Sequence, residues 1–227
     1  MPVVRLDPKL PGFPPAEWAD DEYDGLVAVG GDLSVRRLLN AYSSGIFPWF
    51  EEHGEIFWFS PDPRFLLLPE NFRIPKSLKR VLKKHPFEFT EDRAFTEVMR
   101  QCATVPRPDA EGTWISERFI EGYTGLFEAG FAHSFEAWRD GELAGGFYGV
   151  AIGDCFFGES MFARIPDASK CAFATFAAIF FENGGRFIDC QQHTDHLARF
   201  GAVDTPREAF LARLREAMAT ASSRGGR

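Results

Sequence analysis

The strongest constraint on the fold is a run of three apolar segments joined by two very short turns. The segments span residues 133–139, 142–152 and 155–162, and the turns between them are Asp140-Gly141 and Gly153-Asp154. Pairs of glycine with aspartate adopt the positive-φ conformations that join adjacent antiparallel strands. The sequence therefore predicts a three-stranded antiparallel meander.

Helices and a further strand surround this meander. Helices are predicted over residues 92–103, 117–129, 167–182 and 207–219, and a strand over "RFIDCQ", residues 186–191. The order of two helices, a three-strand meander, a helix and a strand resembles the acyl-transferring fold of the GCN5-related N-acetyltransferases (GNAT). This likeness concerns the pattern of elements, and pattern alone does not determine the chemistry.

The first 85 residues differ from the rest, because they are rich in Pro and Gly and hold only short elements. They predict a strand near residues 26–29, a helix over 34–43, and the short strands "IFWF" and "RFLLLP". We therefore predict an α+β protein. It has a small N-terminal α/β domain over residues 1–85 and a GNAT-like catalytic domain over 86–227, with a mostly antiparallel sheet flanked by helices.

Composition and charge exclude several classes of protein. The longest mostly apolar run, residues 171–181, is too short to span a bilayer, and the proline-rich start "MPVVRLDPKLPGFPP" has no apolar signal core. We expect a cytoplasmic protein without a membrane partner. The four cysteines stand far apart and predict reduced thiols. The net charge of −8 argues against nonspecific coating of nucleic acid.

One segment carries the opposite charge. Between residues 73 and 84, "RIPKSLKRVLKK", helical spacing gathers basic side chains on one face, opposite Leu78 and Val81. The basic residues of this face are Lys76, Lys79, Arg80, Lys83 and Lys84. Such a face is either a solvated helix surface or a contact for a phosphate backbone.

Polar residues lie on the predicted strand "RFIDCQ", which follows the buried helix. Strand alternation places Asp189 and Gln191 on one face, with Ile188 and Cys190 on the other. Such a pair either meets water at a strand end or belongs to a cleft. Cys190 with His193 and His196 superficially suits a metal, yet a fourth ligand is not evident, and we predict none.

Glu159 stands among aromatic residues on the third meander strand, in "CFFGESMFAR". A buried carboxylate without a partner is costly. It therefore points to solvent, pairs with a cation such as Arg164, or binds a cationic ligand.

Longer blocks of the sequence resemble the leucyl/phenylalanyl-tRNA–protein transferases of bacteria. The blocks are "GLVAVGGDLSVRRLLNAYSSGIFPWF", "WFSPDPR", "FFGESMFAR" with "DASK", and "IDCQ" with "HLARFGA". The resemblance covers nearly the whole chain. It implies transfer of Leu or Phe, and possibly Met, from aminoacyl-tRNA to the N-terminal Arg or Lys of proteins. The product would be degraded through the N-end rule.

The resemblance also implies roles for particular residues. The family's functional glutamate, aspartate and glutamine match Glu159, Asp189 and Gln191, and its cleft aromatics match Trp49 and Trp114. We expect these three polar residues to be catalytic. The donated side chain is expected to bind in a pocket lined by Phe156, Met161, Phe173 and Ile188, with Ser160 beside it.

The implied reaction is the aminolysis of an ester, in which positioning supplies much of the catalysis. We expect Asp189 to orient Gln191, and Gln191 to align the amine; the substrate's ribose or a water could instead remove the proton. We expect no cofactor and no metal, and a monomer that binds tRNA through the basic helix. Two alternatives stay open: an acetyl-CoA-dependent transferase on the same fold, and a module that only binds basic N-termini.

Overall fold

A computed structural model describes residues 3–105 and 114–224, with residues 220–224 described by their backbone. The strands are β1 (Val4–Leu6), β2 (Leu26–Gly30), β3 (Phe47–Glu52), β4 (Glu55–Phe59), β5 (Arg64–Leu67), β6 (Glu88–Glu91), β7 (Ala132–Arg139), β8 (Glu142–Ile152), β9 (Cys155–Ala163), β10 (Phe187–Asp189) and β11 (Val203–Thr205). The α-helices are α1 (Val35–Ser43), α2 (Lys76–Leu82), α3 (Phe95–Ala103), α4 (Glu117–Glu128), α5 (Ala168–Glu182), α6 (Asp195–Ala198) and α7 (Arg207–Arg224).

The predicted meander is confirmed. Strand β8 pairs antiparallel with both β7 and β9. At the first turn Asp140 and Gly141 have φ values of 54° and 80°, the left-handed pair that a tight hairpin turn requires. At the second turn Gly153 has a φ of 60°. Local turn chemistry thus accounts for the centre of the fold.

The meander belongs to a seven-stranded sheet with the order β11-β5-β10-β9-β8-β7-β6. Strand β10 lies parallel to β9, after the crossover through α5, and antiparallel to β5. A second sheet of four strands has the order β1-β2-β4-β3. The α+β prediction is confirmed. Within the described residues β5 belongs to the larger sheet, although it precedes residue 85, and the division of the chain at residue 85 stays a prediction.

Two apolar cores cover the two faces of the larger sheet. On one face, α1, α3, α4 and α7 pack around residues such as Tyr42, Phe119 and Phe157. On the other face, α5 and Leu78 of α2 pack around Phe147 and Phe156. Adjacent residues of β9 therefore belong to different cores, because side chains alternate along a strand.

This alternation is interrupted at Glu159. Gly149 pairs with Gly158 and Tyr148 pairs with Ser160, so that Glu159 is the extra residue of a β-bulge. Gly149 allows the backbones of β8 and β9 to approach closely here, because a Cβ at this position would lie 2.2 Å from the Phe157 carbonyl oxygen. Glu159 lies on the same face as Phe157, toward α1 and α4, and the bulge shifts the alternation of the residues that follow, so that Met161 packs on the other core.

Several elements differ from the prediction. The strands β1, β3 and β11 and the short helix α6 were not predicted, and β10 ends at Asp189 rather than at Gln191. The segment after Pro75 predicts a helix to about His85, but α2 ends at Leu82, and His85 has a φ of 47° that does not fit a helix. The sequence also predicts Ser116 as the cap of α4; Ser116 precedes the helix but makes no side-chain cap, and its hydroxyl donates to Glu51 Oε2 at 3.3 Å. The four cysteines are free thiols.

Candidate active site

A cavity of about 360 Å³ opens between β3 of the smaller sheet and β9 of the larger sheet. Its walls come from β3, the segment before α4, β8, β9, α5, and the chain from β10 into α6. The lining includes Phe47, Pro48, Trp49, Val105, Trp114, Phe147, Tyr148, Gly158, Glu159, Ser160, Met161, Phe173, Ile188, Cys190, Gln191, Gln192, Thr194, His196 and Leu197. The cavity therefore joins an apolar wall to a small polar centre.

Glu159 forms that centre, and it is held by three donors. The Tyr42 hydroxyl donates to Oε1 at 2.7 Å, and the Tyr123 hydroxyl donates to Oε2 at 3.0 Å. Gln191 Nε2 donates to Oε1 at 2.8 Å. Burial raises the pKa of Glu159 to about 7, although the two tyrosine hydrogen bonds lower it. The carboxyl group can therefore change charge near neutral pH.

Tyr42 and Tyr123 were not predicted as site residues. Both are fully buried, and their hydroxyls also contact each other. Burial and the charge of Glu159 raise the pKa of both phenols well above the ordinary value, so that they remain protonated. Each lies on the apolar face of an amphipathic helix, where a tyrosine is ordinarily a core residue.

Asp189 lies behind this centre, in a fully buried ion pair with Arg64. Arg64 Nε donates to both carboxylate oxygens, at 2.9 and 3.0 Å, and Nη2 donates to Oδ2 at 2.6 Å. The guanidinium lies between the rings of Phe47 and Phe210, at 4.8 and 4.5 Å. Arg64 was also missed; the signal for it was an arginine that opens the apolar run "RFLLLP".

Gln191 connects the two carboxylates. Its backbone N–H donates to Asp189 Oδ1 at 2.8 Å, while its side-chain amide reaches Glu159. The predicted alternation is wrong here, because Gln191 lines the same cavity as Ile188 and Cys190. The reason is its φ of 62°, which ends the strand and turns the side chain. Arg64, Asp189, Gln191, Glu159 and the two tyrosines thus form one chain of hydrogen bonds.

The predicted apolar pocket lies on the α5 side of this centre. Met161, Phe173 and Ile188 line the cavity, and Phe147 completes the wall. The other predicted contacts Trp49, Trp114 and Ser160 line it too. Phe156 does not; it is buried in the core with its ring 4.6 Å from that of Phe176.

The remaining predicted residues lie elsewhere. On α2 and the turn after it, Leu78 is buried and the basic side chains are exposed: Lys76, Lys79, Arg80, Lys83 and Lys84. His193 pairs with Asp204 at 3.3 Å rather than turning into the cavity. Burial raises the pKa of the Cys190 thiol far above its ordinary value, which disfavours a thiolate nucleophile.

One group among the described residues has the spacing of a metal site. Ligand atoms of Glu91, Asp92 and His133 lie within 4.8 Å of one another, outside the cavity lining. His133 Nδ1 and Asp92 Oδ2 are already paired at 2.7 Å. The cavity lining carries the Glu159 carboxylate, the Cys190 thiol and the His196 imidazole, which do not form such a group among the described residues.

The fold and the site define an α+β protein with a cavity in which an apolar pocket adjoins a buried acid and an amide. Residues 66–215 match the family model "Leucyl/phenylalanyl-tRNA protein transferase", and residues 31–62 match the model for the N-terminal domain of the same family. The chain belongs to this family of transferases, whose substrates are aminoacyl-tRNA and protein.

Individual relatives agree with the family models. The leucyl/phenylalanyl-tRNA–protein transferase of Myxococcus xanthus is 52% identical over 99% of this chain and 96% of its own. That of Solidesulfovibrio magneticus is 54% identical over 96% of this chain and 87% of its own. Solved structures with some likeness include a GCN5-related N-acetyltransferase-like protein from Streptococcus suis, with a TM-score of 0.36 and 12% identity, over 70% of this chain and 58% of that one.

Across the two described ranges, no helix is both long and apolar enough to cross a membrane.

Proposed function

We propose that this protein moves leucine, phenylalanine or methionine from aminoacyl-tRNA to the α-amine of an N-terminal Arg or Lys, and so marks the acceptor for N-end-rule degradation. It acts as a monomer, without a cofactor, in the cytoplasm where aminoacyl-tRNA is made. The observation that carries this proposal is the cavity in which an apolar pocket, two tryptophans and the Gln191–Glu159 pair meet.

The donor fits the cavity by the chemistry of its parts. The side chain of Leu or Phe is apolar and enters the wall of Phe147, Met161 and Phe173. A flexible methionine in such a wall adapts to side chains of different shape. The terminal adenosine of the tRNA lies by Trp49 and Trp114, because nucleobases stack on aromatic rings.

The charge beside the cavity supports a cationic acceptor. A cleft of about 220 Å³ is lined by Asp21, Asp24, Asp62, Asp204 and His193. Gln192 lines both this cleft and the cavity. Although Arg207 pairs with Asp21, the other three aspartates leave the cleft with a negative excess. An acceptor with an N-terminal Arg or Lys is therefore drawn toward the reaction centre.

Gln191 aligns the attacking amine in this proposal. Its Nε2 is committed to Glu159, so its Oε1 is the atom that accepts a hydrogen bond from the amine. Glu159 polarises the amide and strengthens this acceptor. Asp189 acts on the backbone N–H of Gln191 and so holds the residue in its left-handed conformation. Positioning the amine against the ester carbonyl supplies much of the rate enhancement.

Transfer is tested directly with labelled Phe-tRNA or Leu-tRNA and a short peptide that begins with Arg. We expect label on the peptide, and little on matched peptides that begin with Ala or have an acetylated N-terminus. A thin-layer or mass-spectrometric assay of the peptide measures it. Binding of the Arg peptide without transfer would instead identify a binding module, and transfer from acetyl-CoA an acetyltransferase.

The exposed basic side chains around α2 bind the tRNA backbone in this proposal. The changes Lys79→Gln and Lys83→Gln each remove one phosphate contact, so each should make the log–log dependence of tRNA affinity on salt shallower by about 1. Binding assays over a range of salt concentrations measure this slope. Lys9→Gln is the matched control and keeps the wild-type slope. An unchanged slope in the α2 variants would show that this face is only solvated.

A further inference from the structure

Three pairs of oxygen atoms are in contact among Tyr42, Tyr123 and Glu159, whereas the two phenols supply only two protons. The oxygen pairs are Tyr42 with Tyr123, Tyr42 with Glu159 Oε1, and Tyr123 with Glu159 Oε2. A hydrogen bond needs one proton between its two oxygens. An ionised Glu159 therefore leaves one pair without a proton, whereas a protonated Glu159 completes all three.

The two charge states use these contacts differently. When Glu159 is ionised, both hydroxyls donate to it. When it is protonated, the acid donates to one phenol, which donates to the second, which donates back to the carboxyl group. Because the two phenols already contact the carboxyl group, the change of charge needs only that their protons be redirected. Glu159 also lines the cavity, where an amine can reach it.

We propose that Glu159 accepts the proton that the attacking amine releases, and that Tyr42 and Tyr123 are positioning residues that hold the carboxyl group ready for it. This rests on the proposed aminoacyl transfer. The neutral amine forms a bond to the ester carbonyl carbon, and one N–H proton passes to the Glu159 carboxylate. The carbon–oxygen bond to the ribose then breaks, and the ribose oxygen takes the proton. Glu159 returns to its ionised form.

Within residues 3–105 and 114–224, several charged and titratable groups act on Glu159 or on the phenols that hold it, and Cys190 and His196 line the same cavity. The groups that act are Tyr42 from α1, Tyr123 from α4, Asp189 from β10 and Arg64 from β5, with Tyr148 of β8 next to Tyr123. A raised pKa of about 7 is consistent with uptake of one proton. The two tyrosine hydrogen bonds favour the ionised form. Removing either one raises the pKa of Glu159 further and moves the activity to higher pH.

The test is the pH dependence of single-turnover transfer with saturating Phe-tRNA and an Arg peptide, between about pH 5.5 and 9. Tyr42→Phe and Tyr123→Phe keep the buried rings and remove one donor each. Each should shift the midpoint of the acidic limb upward by about one pH unit, so that the rate falls about fivefold at pH 7 and recovers near pH 9. Glu159→Gln should slow transfer at every pH and leave only the limb that the titration of the peptide amine produces.

Tyr23→Phe makes the same chemical change at an exposed position and should keep the wild-type profile. Because the peptide amine is the same in every reaction, its own titration cancels in the comparison. If both buried variants lose rate equally at every pH, the proton-accepting role is wrong. If the wild type transfers nothing at any pH, the proposed function fails first. If one variant does not fold, the other alone decides between a shifted and an unshifted limb.

Discussion

Gln191→Ala is expected to slow single-turnover transfer by about 100- to 1,000-fold, because the amide is the group that aligns the attacking amine. Alanine cannot accept the amine's hydrogen bond, and it also leaves Glu159 Oε1 without the donor that now lies at 2.8 Å. The backbone contact of residue 191 to Asp189 is retained in this variant, since it uses the main-chain N–H.

The variant should still bind aminoacyl-tRNA, because the apolar wall and the two tryptophans are untouched. Rapid-quench measurement of label on an Arg peptide gives the rate, and a filter-binding assay gives the affinity. Gln101→Ala on α3 removes an amide of the same kind outside the cavity lining and should transfer at the wild-type rate. Near-normal transfer by Gln191→Ala would remove this residue from the mechanism.

Arg64→Met is expected to lower the free energy of unfolding by about 3–5 kcal/mol, because it leaves Asp189 as an unpaired charge in the core. The two side chains are both fully buried and share three hydrogen bonds. The change also removes the guanidinium from between Phe47 and Phe210. Urea denaturation followed by tryptophan fluorescence measures the loss.

A second variant separates stability from activity. Replacing both partners, as Arg64→Met with Asp189→Leu, should recover most of the stability, because no unpaired charge remains. Transfer should stay low, since Gln191 loses the carboxylate that fixes its backbone. Arg5→Met breaks an exposed pair with Glu55 and should change stability much less. A single Arg64→Met variant as stable as Arg5→Met would contradict a structural role for this pair.

The parts of the fold that local chemistry specifies could be predicted from the sequence. The meander follows from two short turns, and its turn residues have the expected positive φ values. Helices α1, α3 and α4 follow from apolar spacing, and α5 follows from a long apolar run that ends before Asn183. Strands β1 and β11 could not be predicted in this way, because strands of three residues take their conformation from the neighbours with which they pair. Strand β3 was missed because it contains Pro48, and a proline inside an apolar run argues against a strand.

The candidate site divides along the same line. Glu159, Asp189 and Gln191 stood out as polar side chains in apolar strands, and the resemblance to the family selected them as site residues. Phe156 was placed in the pocket, although packing against Phe176 takes it into the core. Tyr42 and Tyr123 were missed because their hydroxyls reach Glu159 from helices far away in sequence.

By itself, the sequence determined the α+β class, the meander at its centre, the polar residues of the site and the likeness to one family of transferases. Only the tertiary structure decided what Glu159 contacts. Its position two residues after Phe157 puts it on the face of β9 that is covered by α1 and α4, where two buried phenols contact it. The pairing of two strands and the packing of two helices bring these groups together, and no local pattern encodes contacts between residues so far apart in the chain.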